Sequence, residues 1–91
     1  AADFGTRGIR VNAISAGPLR TLAGGGITDA RAMFNFQKTH SPLQKTVTLS
    51  DIGGSAIYLL SDLSAGVTGE VHYVDSGYNI ISTPRPEMLQ D

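Results

Sequence analysis

Ile9-Arg10-Val11-Asn12-Ala13-Ile14-Ser15-Ala16-Gly17-Pro18-Leu19-Arg20-Thr21 is the stretch that decides how this chain is read. Residues 9–16 alternate, with Ile9, Val11 and Ala13 on one face. Ile14 adds an apolar side chain to the other face, so both sides of this strand are expected to be covered, as in a parallel sheet. Pro18 has no N–H to give to a ladder, and Gly17-Pro18 therefore ends the strand. In an open α/β sheet, ligands bind beyond the carboxyl ends of the strands. The peptide groups around Leu19 and the Thr21 hydroxyl are accordingly candidate ligand contacts. The main chain at Leu19 can donate and accept, and Thr21 can donate to a phosphate oxygen. Pro18 would keep the corner rigid. The same residues also make an ordinary strand-to-loop turn, and Arg20 is equally a phosphate partner, a solvated charge or a subunit contact.

Working outward, Gly5 and Gly8 bracket Thr6-Arg7 and end a helical segment ahead of the strand. Downstream, Leu22-Ala23-Gly24-Gly25-Gly26-Ile27 carries three consecutive glycines, costly to order, and reads as a mobile loop. Thr28 or Asp29 caps a short helix with Ala30, Met33 and Phe34 on one stripe, broken at His40-Ser41-Pro42. Loop and helix together, about residues 22–40, suit a flap over an apolar substrate, with Ala23, Ile27, Met33 and Phe34 lining the pocket. A surface loop followed by a core-facing helix fits the same spacing. Thr48 is the N-cap of a longer helix, with Asp51 three residues on. Ile52, Ala56, Leu59, Leu60 and Leu63 follow helical spacing. Gly53-Gly54 lowers helix propensity by roughly 1 kcal/mol per glycine and would let a neighbour approach. Thr68-Gly69 turns into a second strand, Glu70 to Val74, closed by Asp75-Ser76-Gly77. Strand, loop, two helices, strand is a crossover unit, right-handed by strong default.

With 91 residues, the chain is one small domain or part of a larger one. Two strands with unpaired edges and one or two helices cannot cover both faces of a sheet. The expectation is the C-terminal portion of a Rossmann-like, doubly wound α/β domain, with residues 1–91 forming part of a single dinucleotide-binding unit. A net charge of −1 gives no reason to expect a nucleic-acid or membrane partner. The absence of cysteine excludes disulfides and thiolate metal sites and fits a cytoplasmic protein. No apolar run approaches the roughly 18 residues of a membrane helix.

His40 and His72 lack a second ligand at metal spacing, and a packed or hydrogen-bonded role is expected for His72. Tyr58, Tyr73 and Tyr78 are each candidate acids, but Tyr58 sits within the long helix and Tyr73 within a strand. Neither is followed by Lys four residues on, so both read as packing residues. No GxGxxG, P-loop or Ser-His-Asp spacing is present.

The string IRVNAISAGPLRT, followed by SDLSAGVTGEVHYVDSG, resembles the C-terminal third of a short-chain dehydrogenase/reductase. Leu59-x-Ser61-Asp62, Thr68-Gly69 and Val74-Asp75-x-Gly77 match that superfamily's closing pattern. The Ala16-Gly17-Pro18 order with Leu19-Arg20-Thr21-Leu22-Ala23 is similar to the bacterial enoyl-acyl-carrier-protein reductases. The likeness covers nearly the whole chain and fades from Ser82 on. It implies that Gly17, Pro18, Leu19, Thr21 and Ala23 contact NAD, with the Leu19 main chain on the carboxamide and Thr21 on the pyrophosphate. It implies that Ala23, Ile27 and Met33 line the substrate pocket. The family's flap phenylalanine is Ala30 here, with Phe34 one turn on to compensate.

The resemblance further implies hydride transfer from NADH to the β-carbon of an enoyl thioester carried by acyl carrier protein, in a homotetramer packed through the last strand and long helix. The catalytic Tyr and Lys of the family fall upstream of Ala1, so no catalytic residue is expected in this segment and the segment alone is expected to be inactive. Two rivals remain at this stage: a 3-oxoacyl reductase or other short-chain dehydrogenase, and a non-catalytic dinucleotide-binding scaffold.

Overall fold

The computed structural model describes residues 1–19 and 28–81, with the side chains of 28–30 excepted. Arg20, Thr21, Ala23, the triple-glycine loop, Ile27 and the Ala30 side chain lie outside the described residues. Phe4 leads into a 3₁₀ turn at Gly5–Arg7, which Gly8 closes in the left-handed region at φ 74°. Strand β1 spans Ala13–Ala16, helix α1 Thr28–His40, helix α2 Leu49–Leu60 and strand β2 Val71–Val74. The strands are parallel, with Ala13 opposite Val71 and Ala16 opposite Val74. Ladder bonds continue at both ends, from Ala13 N–H to Glu70 O (2.9 Å) and from Gly17 N–H to Val74 O (3.0 Å). The order of elements is the crossover unit expected from the sequence.

β1 is shorter than the 9–16 strand expected, because residues 10–12 spend their polar groups on the turn after α2. Arg10 donates to Ser64 Oγ (2.9 Å), Val67 O (3.1 Å) and Ser61 O (3.1 Å). Asn12 donates to Val67 O and accepts from Glu70 N–H. Val11 N–H goes to Thr68 Oγ1, and its carbonyl accepts from Gly69 N–H. Asn12 thereby replaces ladder bonds with side-chain bonds that fix where the second strand begins.

α2 starts where Thr48 and Asp51 place it. Thr48 Oγ1 accepts from Asp51 N–H (3.1 Å), and Asp51 Oδ2 accepts from Thr48 N–H (2.8 Å), a reciprocal capping box. The helix ends at Leu60, earlier than the apolar spacing through Leu63 implies. Leu63 falls in a 3₁₀ turn at Asp62–Ser64 and is 80% exposed. The buried Ser64 hydroxyl donates to Leu59 O (3.0 Å) and terminates the helix.

α2 lies on one face of the strand pair, where His72 Nε2 meets Ser55 Oγ at 3.2 Å. The opposite face, with Val71 54% and Tyr73 51% exposed, is uncovered among the described residues. A bare face is what two strands and their helices leave, as expected for part of a larger sheet, and Tyr73 and Tyr58, read as packing residues, are both exposed here. Gly53 and Gly54, expected against a neighbour, have open space above them. Val47 and Leu59 are the only buried hydrophobic residues among those described. Apolar burial on that scale offsets little of a backbone ordering cost of roughly 1–2 kcal/mol per residue.

The isolated 91-residue chain is therefore expected to show no cooperative thermal transition by far-ultraviolet circular dichroism. A sigmoidal melt would refute this.

Within a folded protein carrying the segment, the Thr48 backbone bond, helped by its hydroxyl, holds the Asp51 carboxyl below its ordinary value. A lowered folded-state pKa adds stability above the unfolded value of about 3.9 and loses it as pH falls through the folded one. The protection of the first-turn amides of α2, taken as their exchange rate against the intrinsic rate at the same pH, should fall below about pH 4, and Asp51→Asn should flatten that acid dependence.

Candidate functional site

The carboxyl ends of β1 and β2 meet at Gly17 and Asp75. A Cβ on Gly17 would stand 3.3 Å from Asp75 Cα and 3.3 Å from Gln37 Oε1. Glycine is what lets the β1 corner, the β2 end and α1 come together there. Gly17, Pro18 and Leu19 are all half-buried. The Leu19 N–H and C=O have no partner among the described residues. Half-buried main-chain groups of this kind are normally paired, so the corner presents a donor and an acceptor to whatever lies beyond the strand ends.

The turn after β2 is built to hold a fixed shape. Asp75 accepts from Gly77 N–H (3.0 Å) and Asn79 N–H (3.1 Å). Ser76 and Gly77 follow one another in the left-handed region, at φ 59° and 88°. Gly77 packs on the Pro42 ring so closely that a Cβ would lie 2.9 Å from Pro42 Cγ. Leu43 N–H donates to Ser76 O (3.1 Å). These contacts tie the chain leaving α1 to the chain leaving β2. The Ser76 hydroxyl is buried in this junction without a hydrogen-bond partner.

Beside the junction, a cleft of about 310 Å³ is lined by Ala32, Met33, Phe36, Gln37 and Tyr78. Phe36 stacks on His40 with centroids 3.8 Å apart and meets Tyr78 edge-on at 6.2 Å. Met33 lines the cleft and is 60% exposed. Phe34 is half-buried and not part of that lining. Thr21, Ala23 and Ile27 are outside the described residues. Phe36 and Gln37 escaped the sequence reading, and Tyr78 entered it only as a candidate acid. Phe36 and Gln37 continue the helical stripe from Met33 at i+3 and i+4, so spacing could have found them. Tyr78 comes from 42 residues beyond Phe36, and only the tertiary fold brings it there.

His72 is hydrogen-bonded, as the sequence implied: Nε2 to Ser55 Oγ, with Nδ1 3.8 Å from Glu70 Oε1. The described residues hold no cluster of three or more metal-ligating side chains, and no described helix is long and apolar enough to cross a membrane.

A parallel strand pair joined by a helical crossover, with a cleft by the strands' carboxyl ends, is a unit of a doubly wound α/β fold. The family model described as enoyl-(acyl carrier protein) reductase matches residues 1–79, and the chain belongs to that family.

The chain is 71% identical over 90 residues to enoyl-[acyl-carrier-protein] reductase [NADH] 2 of Rhizobium meliloti, covering 99% of this chain and 34% of that protein. It superposes on the crystal structure of FabI from Candidatus Liberibacter asiaticus with a TM-score of 0.87 at 60% identity, over 93% of this chain and 33% of that one. The reductase from Anaplasma phagocytophilum, solved in complex with NAD, gives 0.86 at 51% identity, over 92% and 32%. The chain thus spans about a third of the length of the curated relatives it matches and has the Rossmann-like fold of that third.

Two neighbouring residues in the β2 turn should respond to mutation with opposite signs. Ser76→Gly removes a left-handed strain of roughly 1–2 kcal/mol and a buried unpaired hydroxyl, against a smaller unfolded-state entropy cost. It should stabilise the folded protein by about 1 kcal/mol. Gly77→Ala meets Pro42 and an unfavourable φ and should destabilise it by roughly 1–3 kcal/mol. Urea unfolding of both variants checks the pair, and equal signs would contradict the turn geometry.

Proposed function

We propose that this chain is the C-terminal portion of an NADH-dependent enoyl-acyl-carrier-protein reductase, acting in the cytoplasm in type II fatty acid biosynthesis. In this reading residues 1–91 belong to one dinucleotide-binding domain. The segment supplies part of the NAD site, from Gly17, Pro18, Leu19, Thr21 and Ala23, and a substrate flap over about residues 22–40. Ala23, Ile27, Met33 and Phe34 face the substrate. Bound NADH supplies the hydride that reduces the enoyl double bond.

What this chain does is bind and orient. The observation that carries the reading is the Leu19 peptide unit, without a partner among the described residues, in the half-buried Gly17-Pro18 corner. A carboxamide is its chemical complement, because it donates through nitrogen and accepts through oxygen. Thr21, two residues on, is within chain reach of the same ligand's phosphates. The family's acid and ribose-binding lysine are expected outside this chain, and no proton transfer is assigned to its tyrosines.

Self-association is part of the reading. α2 leaves Ile57 69% and Leu60 85% exposed, with open space above Gly53 and Gly54 on the same helix. A second copy in a homotetramer would cover such a strip. The substrate is an enoyl chain on acyl carrier protein, and neither nucleic acid nor a membrane is a partner.

The test is the full-length protein assayed with crotonyl and acetoacetyl thioesters, following NADH consumption. Reduction of the crotonyl thioester is expected. Reduction of the 3-oxo substrate alone would move the assignment to a sister reductase, and binding of NADH without turnover of either would leave a scaffold. Thr21→Ala should raise the KM for NADH roughly 10- to 100-fold, the cost of a hydrogen bond to a charged group. An unchanged KM would remove Thr21 from the cofactor site.

A further inference from the structure

We propose that Tyr78, backed by Phe36, limits the length of acyl chain the protein accepts. The tail would leave the Gly17 corner along Gln37 and Met33 and end against the Tyr78 ring. The inference rests on the enoyl thioester reading above and deepens it.

Three features of the cleft select an alkyl chain. Among the described residues its lining carries no charged group: Ala32, Met33, Phe36 and Tyr78 are apolar or aromatic, and Gln37 is neutral. An anionic or cationic ligand would be desolvated there without compensation. Its volume, about 310 Å³, is at the small end of ligand pockets and suits a tail rather than a whole cofactor. Its polar end also adjoins the corner assigned to the nicotinamide, since Gln37 Oε1 lies 3.3 Å from where a Gly17 Cβ would be. A chain whose β-carbon sits at the nicotinamide runs from that end toward the aromatic one.

The two walls differ in stiffness. Met33 is unbranched and mostly exposed, so it can adapt to chains of different shape. Tyr78 cannot retreat as easily. Its N–H donates to Asp75 O (3.1 Å), and the preceding Gly77 is seated on Pro42. Phe36 meets its edge and is itself stacked on His40, whose Nδ1 is 2.8 Å from Phe36 O. A rigid ring at the end of an adaptable channel is a length gauge.

The full-length protein and its Tyr78→Ala and Tyr78→Trp variants would be titrated calorimetrically, with the oxidised cofactor present, with non-reducible butyl, octyl and dodecyl thioethers of pantetheine. In the wild type, affinity should rise with chain length and then level off. Tyr78→Ala should move the plateau to longer chains, with dodecyl binding tightened roughly 10-fold, about two buried methylenes. Tyr78→Trp should move it to shorter chains, so the sign survives if the alanine variant fails to fold. Identical chain-length profiles in wild type and variants would overturn the proposal. Binding is read without turnover. Failure to reduce any enoyl thioester would therefore count against the reaction, and an unmoved profile against Tyr78 alone.

Discussion

Asn12 bridges the turn after α2 with both ends of its amide, donating to Val67 O and accepting from Glu70 N–H. With Arg10 spread over Ser61, Ser64 and Val67, it fixes the register in which β2 leaves that turn beside β1. A slip of one residue would turn every side chain of a strand to the other face. A slip of β2 would carry His72 away from Ser55 on α2, and Gly17 N–H would lose Val74 O. The position of the corner is thus determined at the far end of the sheet, by polar side chains that contribute no apolar burial. Such a network tolerates little substitution because each buried member has its partner.

At the carboxyl ends the constraint is of another kind, close approach. Gly17 lets Asp75 and Gln37 in, and Gly77 lets Pro42 in. These two contacts bring α1 to the sheet edge and so create the cleft. The described contacts of α1 with the sheet edge are made near its C-terminal half, through Phe36, Gln37 and the residues just after His40. The Met33 end is the more exposed.

The crossover order, the α2 cap and the corner at Gly17-Pro18 were legible in the sequence because each is written locally. A capping box is three residues apart, and a proline cannot hide its missing donor. The extent of β1 was not legible, because alternation at residues 9–13 is the same whether Asn12 pairs in a ladder or with a turn 55 residues away. Leu63 fits a helical stripe, and it took the Ser64 hydroxyl, drawn to Leu59 O, to end the helix earlier. At the candidate site, Gly17, Pro18, Leu19 and Met33 came from motif and spacing. Tyr78 did not, since its role depends on a left-handed turn packing on Pro42.

The uncovered apolar surfaces and the candidate site have one origin. A doubly wound domain gains its stability from layers on both sheet faces, and the described residues supply one layer for one face. Val71 and Tyr73 on the bare face, and Ile57 and Leu60 on the outside of α2, are spaced as burial requires and exposed here. The same holds for the polar groups at Leu19. Apolar area without cover and peptide groups without partners are both unfavourable unless something else meets them. The first is met by more protein, and the second by a partner with matched donors and acceptors, which in the proposed function is the cofactor. In the proposed reading, further protein meets the faces of the sheet, whereas the cofactor meets the carboxyl ends of its strands.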